Sequence, residues 1–198
     1  MVSTQVFNSM TDEKSINRAI SGGIIWLTGL SGSGKSTIAT HLCKTLIQAN
    51  LKVEILDGDQ IRTWLSPGLG FTKADRDLNV QRVGIVANLL SRNGILVIVA
   101  MISPYRAIRN HLKATTHNFV EIFINAPLEV CEMRDPKGLY AQARAGDMQG
   151  FTGMNDPYEI PLQPDLICHT ADETIAESVS KIIQTLSDRS LIPNLDHQ

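Results

Sequence analysis

The sequence predicts an α/β fold in which a central parallel sheet of five strands carries helices on both faces. Three observations predict it. Short apolar runs alternate with longer segments whose apolar residues recur at helical spacing, the signature of strand–helix–strand units. One run, Ile95 to Ile102, is apolar throughout and rich in branched residues, as a strand buried on both sides must be. Hydrophobic residues make up 43% of the 198 and charged residues 19%, a globular balance rather than a disordered one.

In order, Ile24-Ile25-Trp26-Leu27 reads as a first strand, ending at a glycine-rich turn that opens at Gly29. Lys35 to Ala49 follows as a helix, with Ile38, Leu42, Leu46 and Ala49 on one side. Val53 to Leu56 is a second strand and runs into Asp57-Gly58-Asp59. Ala74 to Ser91 is a helix that repeats Leu78, Val83, Val86, Leu89 and Leu90. After the strand at Ile95–Ile102, Pro104 to Thr116 reads as a helix with proline near its start. Phe119 to Ile124 and the weaker Leu166 to Cys168 supply the last two strands, and Asp172 to Leu186 is a closing helix with an acidic first turn. Between them, Arg134 to Pro164 breaks the alternation, and is expected to be an irregular, mobile lid. The organisation is then a polar leader over 1–21, one domain over 22–188 with its lid at about 134–164, and a tail over 189–198.

The charge balance of 18 basic and 20 acidic side chains, a net −2, speaks against a nucleic-acid-coating protein. No apolar run is long enough to cross a bilayer, and the first twenty residues lack the apolar stretch of a secretory signal. The three cysteines have no CxxC spacing and read as reduced thiols of a cytoplasmic protein, and the five histidines do not pair at zinc-ligand spacing.

The strongest chemical signal is Gly29-Leu30-Ser31-Gly32-Ser33-Gly34-Lys35-Ser36, followed by Thr37, a complete G-x-x-x-x-G-K-[ST] between a strand and a helix. Its glycines let successive N–H groups turn inward onto phosphate oxygens, and the helix adds its positive end. Lys35 would place a point charge on the β/γ-phosphates and Ser36 would ligate Mg²⁺, so the turn is read as a nucleoside-triphosphate site. Two matches to guanine-nucleotide motifs fail on context. Thr72-Lys73-Ala74-Asp75 opens a helix instead of ending a late strand, and Asp147-Met148-Gln149-Gly150 follows no strand.

No acid ends the Ile95–Ile102 strand, so the carboxylates must come from Asp57 and Asp59 at the end of the second strand. Ligands in open α/β sheets sit beyond those strand ends. One aspartate would hold magnesium and the other take the proton of an attacking hydroxyl; the competing role is a helix N-cap before Ile61. Arg62, Lys73, Arg76 and Arg82, with Phe71 and Asn79 between them, read as a pocket for an anionic acceptor carrying a base. Arg134, Lys137 and Arg144 add cations on the expected lid.

Together these segments resemble the adenylyl-sulfate kinase (APS kinase) family. The carrying motifs are GLSGSGKST at Gly29–Thr37, LDGDQIR at Leu56–Arg62, GFTKADRDLNVQRVG at Gly70–Gly84, ISPYR at Ile102–Arg106, RDPKGLYAQAR at Arg134–Arg144 and GFTGMNDPYE at Gly150–Glu159. The resemblance implies a P-loop nucleoside-kinase-like three-layer fold with a lid. It also implies Mg²⁺-dependent transfer of the ATP γ-phosphoryl to the 3′-hydroxyl of adenosine 5′-phosphosulfate (APS), in a cytoplasmic homodimer of sulfate assimilation. It places Asp59, Gln60, Ile61 and Arg62 in the APS site, with Asp59 as base, Phe71 on the adenine, and Arg76 and Asn79 on the phosphosulfate and ribose. Ile102, Ser103, Lys137, Leu139, Gly150 and Phe151 complete that site, while Arg134 joins the ATP site. Ser103 matches a serine described in the family as a possible phosphoserine intermediate; direct in-line transfer is favoured, because a P-loop and magnesium already position the phosphoryl group. The chain departs from the family at Gln60, at Leu78 and Gln81, at Ala100-Met101 and at Asn155. A kinase of another small acceptor, a nucleotide-dependent switch and a catalytically dead APS-binding module are the rival readings.

Overall fold

A computed structural model describes residues 22–195; the expected polar leader at 1–21 lies outside the described residues. Five strands form one sheet in the order β2-β3-β1-β4-β5, and every neighbouring pair is parallel. The strands are β1 (Gly23–Thr28), β2 (Val53–Asp57), β3 (Leu96–Ala100), β4 (Phe119–Asn125) and β5 (Leu166–His169). The helices are α1 (Lys35–Gln48), α2 (Gly58–Leu65), α3 (Lys73–Ser91), α4 (Arg106–Thr115), α5 (Leu128–Arg134), α6 (Leu139–Ala145) and α7 (Ile175–Asp188).

The period of two along each strand divides the core into two layers. Ile25 and Leu27 of β1, with Ile98 of β3 and Ile122 and Ile124 of β4, pack under Ile38, Leu42 and Leu46 of α1 and Ile182 and Leu186 of α7. Ile24 and Trp26, with Val97 and Val99, face the opposite way onto Val80, Val83 and Ala87 of α3 and Leu112 of α4. All five residues of β3 are buried, as expected of a strand covered on both faces. Leu191 and Ile192, in the stretch expected to be a tail, are also buried in the first layer.

The main differences from expectation are short helices. α2 begins inside the Asp57-Gly58-Asp59 turn, and the Arg134–Pro164 stretch contains α6 instead of being irregular throughout. α6 is seven residues long and offers only two turns of pattern. It is held by tertiary contacts: Tyr140 is buried against Phe151 in an edge-to-face pair with centroids 4.8 Å apart. α4 starts at Arg106 instead of Pro104, and the Glu159 carboxylate accepts from the Arg106 N–H at 2.7 Å, capping the helix from a distant segment. Thr72 is the N-cap of α3, which disposes of the TKAD match, and Asp147 follows a helix, which disposes of the DxxG match.

Candidate active site

β1 lies between β3 and β4, so the connections leaving its carboxyl end and that of β4 run to opposite sides. A crevice opens at such a reversal, and the Gly29–Ser36 turn fills it. The glycines there are required by space. A Cβ on Gly29 would stand 2.3 Å from the Ile124 carbonyl oxygen. Gly32 holds φ +73° with the Cys131 carbonyl 2.8 Å from where its Cβ would be. Gly34, the N-cap of α1, offers no side chain, so the first amides of the helix keep their donors free for an anion.

Lys35 is buried and folds back over the turn, donating to the carbonyls of Gly29 at 3.0 Å and Leu30 at 2.6 Å. Burial lowers its pKa from the ordinary 10.5 to about 8, against the opposing attraction of Cys131, Asp59 and Asp57. Ser36 donates to Asp57 Oδ2 at 2.8 Å, while Oδ1 of the same carboxylate accepts the Asp59 N–H at 3.0 Å. Asp57 is therefore both the N-cap of α2 and the partner of the P-loop hydroxyl. Among the described residues no cluster of three or more histidine, cysteine or acidic side chains is poised for a metal. The Ser36–Asp57 pair instead offers two hard oxygens beside the phosphate turn, a donor set suited to a magnesium ion that keeps most of its water.

A cleft of about 650 Å³ runs from this turn across the carboxyl ends of the strands. Ser31, Gly32, Gly34, Lys35, Ser36 and Thr37 line one end; Asp59, Arg62, Phe71, Arg76, Asn79, Ile102 and Ser103 line the other. Arg134, Lys137 and Leu139 lie along the rim. The Phe71 ring, 64% exposed, stands between two guanidinium groups, Arg62 at 4.5 Å and Arg76 at 5.5 Å. Burial and the neighbouring Arg76 lower the pKa of Arg62, which also donates to the carbonyls of Leu69 and Gly70. Asn79 is buried in the cleft wall and its Oδ1 has no partner, which leaves an acceptor for a ligand donor. Lys137 forms an ion pair with Asp59, joining the rim to the acceptor end. Arg134 donates to the Thr170 carbonyl at 2.5 Å and to the Gly32 carbonyl at 3.3 Å.

Other candidates sit beside the cleft instead of on it. Gly29, Leu30 and Ser33 belong to the turn through their backbone: Gly29 and Leu30 hold Lys35, and the Ser33 carbonyl accepts from Thr170 at 2.6 Å. Gln60 is exposed, and Ile61 packs toward the core under α3. Gly150 accepts Arg76 Nη2 at 2.5 Å, so it acts on the cleft through that arginine, and Phe151 is buried beneath it. The basic cluster divides. Lys73 pairs with Asp77 at 2.5 Å, Arg82 donates to the Leu65 carbonyl at 3.0 Å and Arg144 pairs with Glu132 at 2.8 Å, all away from the cleft, because helix phase turns them outward. Ser103, by contrast, lines the cleft but is 1% exposed, and its hydroxyl accepts from Trp26 Nε1 and donates to Thr28 Oγ1, each at 3.0 Å.

Sequence reasoning missed Thr170, Glu173, Thr174 and Ile175, which follow β5 and line the cleft beside Arg134. Their position just past a strand's carboxyl end was the available signal. Burial keeps the pKa of all three thiols raised, so none is a ready nucleophile.

A five-stranded parallel sheet with a phosphate turn at its switch point and a cationic acceptor cleft defines a P-loop phosphotransferase. The comparisons specify which. A model of the adenylylsulphate kinase family matches residues 21–169. The adenylyl-sulfate kinase of Rippkaea orientalis is 58% identical over 167 residues, which are 84% of this chain and 92% of that one. The structure of the Mycobacterium tuberculosis APS kinase in complex with AMPPNP and APS superposes with a TM-score of 0.80 at 43% identity, covering 84% of this chain and 98% of that one. A hexameric APS kinase from Thiobacillus denitrificans gives a TM-score of 0.66 at 32% identity over 91% of this chain and 32% of that one. The chain belongs to the adenylylsulphate kinase family, whose members are ATP-dependent phosphotransferases.

Proposed function

We propose that the chain phosphorylates APS at its ribose 3′-hydroxyl, giving 3′-phosphoadenylyl sulfate and ADP. The observation that carries the reading is the single cleft in which Lys35 and Ser36 face Asp59 and the Arg62–Phe71–Arg76 cluster. ATP lies with its phosphates in the Gly29–Thr37 turn and Arg134 beside it. APS lies with its adenine on Phe71, its phosphosulfate between Arg62 and Arg76, and its ribose toward Asn79 and Asp59. Gln60, Ile61, Ile102, Ser103, Leu139, Gly150 and Phe151 shape the surrounding wall.

In the transfer step the 3′-oxygen bonds to the γ-phosphorus, the bond from that phosphorus to the β,γ-bridging oxygen breaks, and the hydroxyl proton passes to the Asp59 carboxylate. ADP leaves with the electron pair. Lys35 and the turn amides offset charge on the transferring group. Ser36 directly, and Asp57 from beside it, would hold Mg²⁺, which supplies further charge neutralisation when bound. Lys137 exchanges its contact with Asp59 for the anionic substrate as the 134–164 segment closes and excludes water. Ser103, buried and hydrogen-bonded, takes no phosphoryl group.

No helix among the described residues is long and apolar enough to cross a membrane, and the free thiols suit a cytoplasmic enzyme. Its partners are its two small substrates, without nucleic acid, and it works as a homodimer. The test is ADP release coupled to a reporter enzyme, with APS set against nucleoside monophosphates and shikimate-like acceptors. APS-dependent turnover is expected. The Asp59→Asn variant should lose about 10²–10⁴ of that turnover while ATP affinity stays put. Equal turnover with another acceptor, or an active D59N, would reject the assignment.

A further inference from the structure

Every carbonyl from Gly29 to Ser33 in the phosphate turn is met by a side-chain donor. Lys35 donates to Gly29 at 3.0 Å and Leu30 at 2.6 Å, and Arg134 to Gly32 at 3.3 Å. The Tyr140 hydroxyl donates to Ser31 at 2.9 Å and the Thr170 hydroxyl to Ser33 at 2.6 Å. In the reading above Lys35 and Arg134 turn to the nucleotide, so their carbonyl contacts are given up on binding. Tyr140 and Thr170 have no such second task.

The peptides these two hydroxyls hold, Ser31–Gly32 and Ser33–Gly34, each end on a glycine with positive φ, +73° and +102°. A peptide before such a glycine turns over at little steric cost, as the relation between type I and type II turns shows. Turned over, it would present a carbonyl oxygen to the phosphates where the turn needs a donor. In a trans peptide the N–H points opposite to the C=O, so fixing the carbonyl fixes the amide that follows. The Gly32 and Gly34 amides donate to no group among the described residues, whereas the Ser33 N–H is used on the Leu30 carbonyl at 3.2 Å.

Both holders are themselves rigid. Tyr140 is buried, its ring packs edge-to-face on Phe151, and the Asp135 carboxylate accepts its N–H and that of Ala141, each at 3.1 Å. Burial raises the pKa of the phenol, which keeps it an O–H donor. Thr170 extends the sheet pairing beyond β5, its N–H donating to the Asn125 carbonyl at 3.0 Å.

We propose that Tyr140 and Thr170 are positioning residues that lock the Ser31–Gly32 and Ser33–Gly34 peptides with their N–H groups toward the phosphates. The proposal rests on the triphosphate reading of the turn and holds whatever the acceptor. Calorimetric titration with ATP and Mg²⁺ tests it. Tyr140→Phe keeps the ring on Phe151 and Thr170→Val keeps the shape of threonine; each lacks the hydroxyl and should weaken ATP about tenfold. Thr170→Ser keeps the hydroxyl and loses the methyl group, and should bind within about twofold of wild type. A residue that only fills the wall would give the reverse order, valine tolerated and serine not. A wild type that binds no ATP overturns the triphosphate reading and this proposal with it. If the wild type binds, then Y140F or T170V binding as tightly, or T170S as weak as T170V, overturns the positioning roles alone.

Discussion

Arg109 is 1% exposed, yet each of its three guanidinium nitrogens donates a hydrogen bond. Nε donates to Glu121 at 2.8 Å, Nη1 to the Ser103 carbonyl at 2.5 Å and Nη2 to the Glu159 carbonyl at 2.6 Å. One side chain on α4 thus ties β4, the loop after β3 and the far end of the 134–164 segment together. Arg109→Ala would leave the Glu121 carboxylate, itself 4% exposed, without its counter-charge, at a cost of ~3–5 kcal/mol. In a domain of this size that lowers the thermal midpoint by roughly 10 °C. Urea unfolding should show the loss as a lower midpoint at constant slope. Replacing both partners, as Arg109→Met with Glu121→Leu, removes the stranded charge. It should recover all but about 2 kcal/mol, the remainder being the two carbonyls that still lack a donor. A loss below about 1 kcal/mol in R109A, or a double variant no more stable than R109A, would refute the reasoning.

Three further outcomes follow from the site. Lys35 has a folded pKa of about 8, below the ordinary 10.5, so the free protein should gain stability as pH rises from 8 toward 10.5. Triphosphate binding favours the charged amine and should take up about 0.9 proton at pH 9 but about 0.1 at pH 7; calorimetry in buffers of different ionisation enthalpy reads this, and Lys35→Met should abolish it. Ser103→Ala breaks the contacts with Trp26 and Thr28 and should cost about 1–2 kcal/mol of stability. Its turnover should stay within about tenfold of wild type, with no labelled phosphoprotein from γ-labelled ATP; a dead variant would revive a covalent route. Lys137→Ala removes an ion pair in which both partners are more than half exposed. Stability should change by less than about 1 kcal/mol, while KM for APS rises more than kcat falls, a split that a merely structural role would not produce.

The phosphate turn could be read from sequence because its chemistry is local. Gly29 through Ser36 form the site with their own backbone, and the flanking strand and helix carry strong periodicities. β1, β3 and β4 were equally legible, since they are buried on both faces and their apolar runs have no other use, while the half-exposed β2 and β5 gave shorter, weaker runs. α2 and α6 were not. At eight and seven residues they have too few turns for a pattern; α2 rests on the local Asp57 cap and α6 on the buried Tyr140 ring.

The acceptor end shows the division most clearly. Its residue types were evident in sequence, but the seven candidate cations from Arg62 to Arg144 look alike as letters. Folding turns Arg62 and Arg76 onto Phe71 and sends Lys73, Arg82 and Arg144 outward, because side-chain direction follows helix phase and packing, which no local rule sets. Likewise Asp57 and Asp59 are neighbours in the chain with different partners in space: Ser36 for one and Lys137 for the other. The sequence by itself determined the parallel sheet, the triphosphate turn and the family. Only the tertiary structure decided which charges share the cleft, since contacts between residues 78 positions apart, such as Lys137 with Asp59, exist only once the sheet has brought the strand ends together.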